Sequence, residues 1–263
     1  ITTIFLAGCG PQTTPAPPPA PPAVPAPAPL PAPAPAPLPA PPGLDEPLPA
    51  AVQAWVEESR NMFLAQSRKV GNTLYLLVTY GEKPTGGFVV EIGEVVVTAD
   101  KISVPVNFRK PAPDEMVTQA LTYPYDLKEM EPLDLPVQFI PSGAEEYIPT
   151  LVGIAELQPI VAESAGIKLF APTPQSAVAR NLVLDGVANV FEGNVQYKLL
   201  DKSGRLLDSG FTTGAMGDWG YFRAELVVPK DVAAGERLLL DVFTESAEDG
   251  SIDQQILYEI VLE

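Results

Sequence analysis

The side chains best suited to chemistry are few. Histidine is absent and Cys9 is the one cysteine. That composition removes Ser-His-Asp and Cys-His catalysis, imidazole metal sites, internal disulfides and thiolate zinc clusters. Glu248, Asp249, Ser251 and Asp253 gather oxygen donors as a calcium loop does, but without the 12-residue EF-hand spacing. Asp-Gly-Ser is also ordinary turn chemistry. Trp219, Tyr221 and nearby Phe211 suit either a platform for sugar rings or half-buried packing at a strand start. Pro84-Thr85-Gly86-Gly87 lacks the lysine, Ser/Thr and helix start of a phosphate-binding loop. Phe88-Val89-Val90 opens a strand instead, so these glycines read as hairpin residues needing positive φ. Paired carboxylates alone are enough for a glycosidase, yet spacing pairs none of the 33 acids. The expectation is no catalytic residue, no metal site and no cofactor.

The elements around these residues carry a net charge of −17, from 16 basic and 33 acidic residues. From Leu44 to Ala165 the counts are 8 and 18, and from Gly166 to Glu263 they are 8 and 15. No Lys/Arg stripe tracks a phosphate backbone, so no nucleic-acid partner is expected. Adhesion of protein charge to anionic headgroups is disfavoured too.

A different membrane attachment is written at the start. Ile4-Phe5-Leu6 is apolar and Leu6-Ala7-Gly8-Cys9 follows. This resembles the lipobox of bacterial lipoproteins, which implies cleavage before Cys9 and acylation of its thiol. Residues 1–8 are then the tail of a signal peptide, since Ile1 is preceded by neither a methionine nor a basic region. Each buried CH₂ contributes about 0.8 kcal/mol, so two or three acyl chains hold stably where one is marginal. The implied location is extracytoplasmic, lipid-anchored to the bacterial cell membrane. Residues 9–49 add a spacer: 19 of the 32 prolines lie between Pro11 and Pro49. Proline fixes φ and removes the backbone donor, so a disordered Pro/Ala-rich tether of polyproline II character, about 3.1 Å per residue, is expected.

Residues 50–160 read as a small β domain with an N-terminal helix and an irregular connector. Val52, Trp55, Val56, Met62 and Phe63 fall on one helical face, with Pro49 at the start and Gly71-Asn72 at the end. Strands follow at 74–80, 88–92, 94–98, 102–108 and 117–123. The Tyr80-Gly81-Glu82-Lys83-Pro84-Thr85-Gly86-Gly87-Phe88 turn comes first, then Glu91-Ile92. Pro111-Ala112-Pro113 and Gln119-Ala120-Leu121-Thr122-Tyr123-Pro124-Tyr125 follow. Together they resemble the C-terminal domain of the protease-complex subunit PrcB, over about residues 60–130. That resemblance implies a non-catalytic domain accompanying a secreted protease. From 130 to 165 the pattern weakens under Pro132, Pro136, Pro141, Pro149 and Pro159.

Residues 166–263 offer seven short strands: 167–170, 181–184, 194–200, 205–211, 221–228, 237–244 and 255–262. Turns at Asp201-Lys202-Ser203-Gly204 and Glu248-Asp249-Gly250-Ser251 separate two pairs of them. About 100 residues with that spacing fit an immunoglobulin-like sandwich, its core expected to use Phe191, Phe222 and Phe243. Ile167-Lys168-Leu169-Phe170-Ala171-Pro172-Thr173-Pro174 opens the stretch, and Asp185-Gly186-Val187-Ala188-Asn189-Val190-Phe191-Glu192-Gly193 and Gly217-Asp218-Trp219-Gly220-Tyr221-Phe222 follow. These resemble the immunoglobulin-like domain of bacterial spore germination, the Gmad family, which implies an extracytoplasmic, non-catalytic module.

The expected fold is thus mainly β: a PrcB-like domain and an immunoglobulin-like sandwich behind a tether. The expected function is non-enzymatic, an envelope binding or assembly module tied to sporulation or germination. Its partners are the membrane, through lipid on Cys9, and a protein or cell-wall polymer. Two alternatives are an accessory subunit of an extracellular protease and, more weakly, a carboxylate-dependent wall hydrolase.

Overall fold

A computed structural model describes residues 48–263. Cys9, the signal-peptide remnant 1–8 and the tether up to residue 47 lie outside the described residues. The described chain is mainly β, as composition and alternation predict.

Helix α1 (Ala50–Ser59) begins after Pro49 and buries Val52, Trp55, Val56 and Ser59. It stops sooner than the apolar spacing predicts. Met62 N–H bonds the Ser59 carbonyl, and Phe63–Val70 is a strand, β1. Gly71-Asn72, expected to end a helix, instead turns a two-residue hairpin into β2 (Thr73–Tyr80), with Val70 opposite Thr73. Gly71 supplies the positive φ (62°) that such a turn needs. Met62 and Phe63 therefore continue the helical spacing by coincidence, and the hairpin's register decides the outcome. On the helix side of β1, Gln66 accepts from the Trp55 indole N–H at 3.0 Å and donates to Ser59 Oγ at 2.8 Å. This buried chain satisfies all three polar groups.

The first module then adds β3 (Val89–Ile92), β4 (Val96–Val97), β5 (Ile102–Arg109), β6 (Tyr125–Met130) and β7 (Val137–Gly143). β1-β2-β6 form one sheet. In the other, β3 and β4 pair antiparallel with successive stretches of β5 while β7 runs parallel to it. Between the sheets, Leu76, Val78 and Tyr80 of β2 meet Ile102, Val104, Val106 and Phe108 of β5, all buried. The strand expected at 117–123 does not form. Thr122 makes only an isolated bridge with Lys83, and the sheet strand begins at Tyr125, where pairing with Thr79 starts.

The segment that proline breaks up, 130–165, is a connector that both modules use. After β7 it enters β8 (Leu151–Val152) and β9 (Ala162–Glu163), two edge strands of the second module. That module continues with β10 (Ile167–Ala171), β11 (Ala177–Val178), β12 (Asn181–Ala188), β13 (Asn194–Asp201), β14 (Leu206–Thr213), β15 (Trp219–Val227), β16 (Arg237–Glu245) and β17 (Ile252–Leu262). Its two sheets run β8-β15-β12-β10-β9 and β11-β17-β16-β13-β14, a sandwich around Leu169, Leu184, Phe222, Leu240 and Ile260. All seven predicted strands are present. The Asp201 turn closes as expected, with Asp201 Oδ1 accepting from the Ser203 and Arg205 N–H groups and the Ser203 hydroxyl.

One core expectation fails. Phe222 and Phe243 are each 1% exposed, but Phe191 is 66% exposed. It sits in a one-turn 3₁₀ segment between β12 and β13, beside Glu192 at φ 55°, where alternation no longer governs its direction. Among the described residues no helix is long and apolar enough to cross a membrane.

Candidate functional site

The two modules share a third apolar cluster: Met62 and Leu64 from β1 and its approach, Leu157 from the connector, and Phe170, Val187 and Trp219 from the sandwich. Polar contacts fix the seam. The Trp219 indole N–H donates to the Phe63 carbonyl at 3.0 Å, and the Trp219 backbone N–H donates to the Thr150 carbonyl at 2.9 Å. Asp218 Oδ1 accepts from the Thr150 N–H at 2.6 Å and its hydroxyl at 3.0 Å. Arg68 pairs with Glu156 at 3.2 Å.

Above this seam lies an open cleft of about 590 Å³, a size suited to small ligands. One wall comes from the first module. Gly81 takes φ +71° as the chain leaves β2, and a Cβ there would stand 3.1 Å from Phe63 N. This close turn carries Lys83 back over the aromatic end of the core. Lys83 Nζ stands 3.8 Å from the Tyr80 ring centroid and within 6 Å of the Phe63 and Phe88 rings, a cation–π arrangement. Burial pushes the Lys83 pKa down. Glu145 opposes that shift, and Lys110 reinforces it. Glu145 takes the Tyr80 hydroxyl at 2.6 Å and the Lys110 ammonium at 3.0 Å. Despite partial desolvation, these bonds and the nearby ammoniums hold its carboxyl below the usual range.

The opposite wall comes from the sandwich and its approach. The Lys168 side chain, 3% exposed, donates to Glu163 Oε2 at 2.8 Å and to the Ser164 carbonyl at 2.9 Å. Asn61 reaches across to Glu163 Oε1 at 3.2 Å, and Asn189 donates to the Gly217 carbonyl at 3.3 Å. Cations, amides, a hydroxyl and ring edges thus converge on one opening. Such a set binds polar or anionic groups attached to a flat or apolar body.

The residues singled out from sequence fare differently. Cys9 lies outside the described residues. The 84–87 loop leads into β3, and Gly87 has φ +85°, as a turn glycine. The loop docks on 111–122 through Gly86 N–H to the Thr118 carbonyl and the Thr122 hydroxyl to the Thr85 carbonyl. Asp249 Oδ1 is occupied by the Ser251 N–H and hydroxyl. No group of three or more Cys, Asp or Glu converges as a metal cage among the described residues. The sugar-platform trio separates: Trp219 is 4% exposed, packed into the seam at the floor of the cleft, while Phe211 is 71% exposed and outside it. Tyr221 sends its hydroxyl to Asp185 at 3.1 Å.

Sequence reading missed Asn61, Lys83 and Lys168. Lys168 carried a signal, a charge within the apolar Ile167-Lys168-Leu169-Phe170, because a buried ammonium needs partners.

Residues 166–251 match the immunoglobulin-like domain of bacterial spore germination. Residues 74–131 match the PrcB C-terminal family. The segment matching the germination-type family supplies Lys168, Asn189 and Trp219 of the cleft, and the segment matching the PrcB C-terminal family supplies Tyr80 to Lys83. Both matches are to accessory or binding domains, and neither is to a catalytic family. No curated protein matches the chain. Among solved structures, the crystal structure of CopC from Methylosinus trichosporium OB3b is similar at 21% identity. It covers 35% of this chain and 86% of its own, with a TM-score of 0.26, too slight a likeness to carry an argument.

Proposed function

We propose that the chain is a non-enzymatic binding module of the bacterial envelope, serving sporulation or germination. A lipid on Cys9 holds it to the membrane, the Pro/Ala segment spaces it outward, and the cleft between its modules holds a cell-wall polymer. The observation that carries this reading is the cleft itself, since each of the two family-matched segments supplies part of one wall and both walls present polar side chains to one opening.

Cosedimentation of the full chain with purified peptidoglycan tests it. Retention in the pellet is the expected result, and a protein left in the supernatant sinks the reading. Release of sugar or peptide fragments in the same tube would overturn the non-enzyme part. For the anchor, Cys9→Ala expressed with a functional signal peptide should lose the acyl mass and become soluble.

The match at 74–131 favours a second reading, an accessory subunit of an extracellular protease. Co-purification from host membranes tests it. A protease recovered with the full chain supports it, and none recovered removes it.

A further inference from the structure

Behind one wall of the cleft, around Lys83, positive charge is in local excess. In a chain of net charge −17, Lys83 and Lys110 face a single carboxylate, Glu145. Lys110 takes it at 3.0 Å, and Lys83 makes no ion pair within 4 Å among the described residues. Lys83 is instead held against three rings, half-buried, with its ammonium on the cleft. The two acids that line the cleft are engaged. Glu163 is shared by Lys168 and Asn61, and Glu82 accepts the Tyr123 hydroxyl at 2.8 Å. A partly desolvated ammonium that makes no close ion pair leaves strong hydrogen-bonding capacity unused. The remaining lining suits hydroxyls. Asn61 and Asn189 each spend a donor internally and keep a carbonyl oxygen, and Ser164 adds a hydroxyl.

We propose, resting on the wall-binding reading above, that the cleft takes a carboxylate-bearing glycan. The carboxylate sits on the Lys83 ammonium, and the sugar body lies along Phe63 between Asn61 and Asn189. In a bacterial wall that carboxylate comes either from a uronic acid or from the peptide stem of a muramoyl unit, and the cleft reads the group they share.

Two soluble probes, a glucuronic-acid oligosaccharide and an N-acetylmuramoyl peptide, distinguish the sources when titrated against the full chain. Each is paired with a counterpart whose carboxylates are capped as amides. At least one acidic probe is expected to bind, and its amide to bind about tenfold more weakly, the order one charge-assisted hydrogen bond contributes. Lys83→Gln should weaken the acidic probe by a similar factor and bind acid and amide alike, while Lys83→Arg should stay within about threefold of wild type. Equal affinity for acid and amide forms overturns the proposal. So does an unaffected Lys83→Gln, a preference for polyglycerol phosphate, or tighter binding of an acidic peptide that lacks sugar. The acid–amide comparison needs no variant, so a poorly folding substitution leaves the proposal falsifiable. If walls pellet the protein but neither acidic probe binds, the ligand assignment falls and the wall-binding reading stands. If walls fail to pellet it, the wall-binding reading itself falls.

Discussion

The indole N–H of Trp219, in the germination-type sandwich, donates to the backbone carbonyl of Phe63, in the PrcB-type module, at 3.0 Å. A ring whose sequence context suits either a sugar platform or half-buried packing is thus the bolt between two domains. It is buried with Met62, Leu64, Leu157, Phe170 and Val187 in a cluster drawn from both sides. Trp219→Phe should cost about 1–3 kcal/mol by stranding the Phe63 carbonyl, and Trp219→Ala about 3–5 kcal/mol through the added cavity. Urea unfolding of the wild type should be a single transition, coincident by circular dichroism and fluorescence. Two separated transitions in the wild type would show that the seam does not couple the modules.

Asp218 is the second fastener. It accepts from both donors of Thr150. Burial first, and then its hydrogen bond and charge, push the Tyr147 phenol up to about 12. Asp218→Ala should destabilise by about 1–3 kcal/mol. It should also return Tyr147 toward its ordinary value of 10.0, read by NMR titration of labelled tyrosine. An unchanged Tyr147 titration would remove Asp218 as a contributor and leave burial as the cause.

Two turn glycines should respond differently to alanine. Gly87 has φ +85°, and a Cβ there would stand 2.6 Å from Val117 Cγ1 and 2.9 Å from Pro111 Cβ. Gly204 has φ +83° and open space around it. Gly204→Ala should therefore cost about 1 kcal/mol of backbone strain alone. Gly87→Ala should cost more, about 2–3 kcal/mol, and loosen the loop that carries Lys83. Equal losses in thermal unfolding would mean that the contacts of Gly87 are immaterial.

Phe191 and Phe222 separate position in sequence from position in the fold. Phe222→Ala should cost about 3–5 kcal/mol, while Phe191→Ala, at a 66% exposed site, should stay within about 0.5 kcal/mol. A large loss at Phe191 would restore it to the core.

Lys83 gives a pH signature with a definite sign. Burial sets its folded pKa below the ordinary 10.5, with Glu145 opposing and Lys110 assisting. Between the two values the unfolded chain binds more protons, so this group's contribution makes stability rise with pH across that window. Tyr80, whose pKa is raised by burial and by Glu145, acts oppositely in alkali. The quantity to measure is therefore the difference between wild type and Lys83→Gln in denaturation midpoints from neutral pH to 10.5. The wild type should gain relative to the variant as pH climbs. A flat difference would show that Lys83 is not desolvated in the fold.

Much of this protein is legible from its residues alone. Alternation in β13, β16 and β17 needs only one buried face per sheet, so the seven strands of the sandwich are visible without their partners. The Asp201 turn is equally local, because Asp and Gly satisfy it with their own backbone neighbours. β1 is different. Phe63, at its start, continues the helical spacing of Val52, Trp55, Val56 and Met62 as well as opening a strand, and pairing with β2 over all eight residues decides between them. The connector strands β7 and β8 are also invisible locally, since each pairs with a strand distant in the sequence, whereas β9 pairs with the next strand, β10.

The cleft belongs wholly to tertiary structure. Composition excluded histidine chemistry and a basic nucleic-acid face, because an absent residue type needs no geometry to rule it out. Lys83 and Lys168 are 85 positions apart in the chain, and only the seam through Trp219 brings them to one opening. A burial pattern reports which face of an element is inside, but not which other element covers it. The site is made of that second fact.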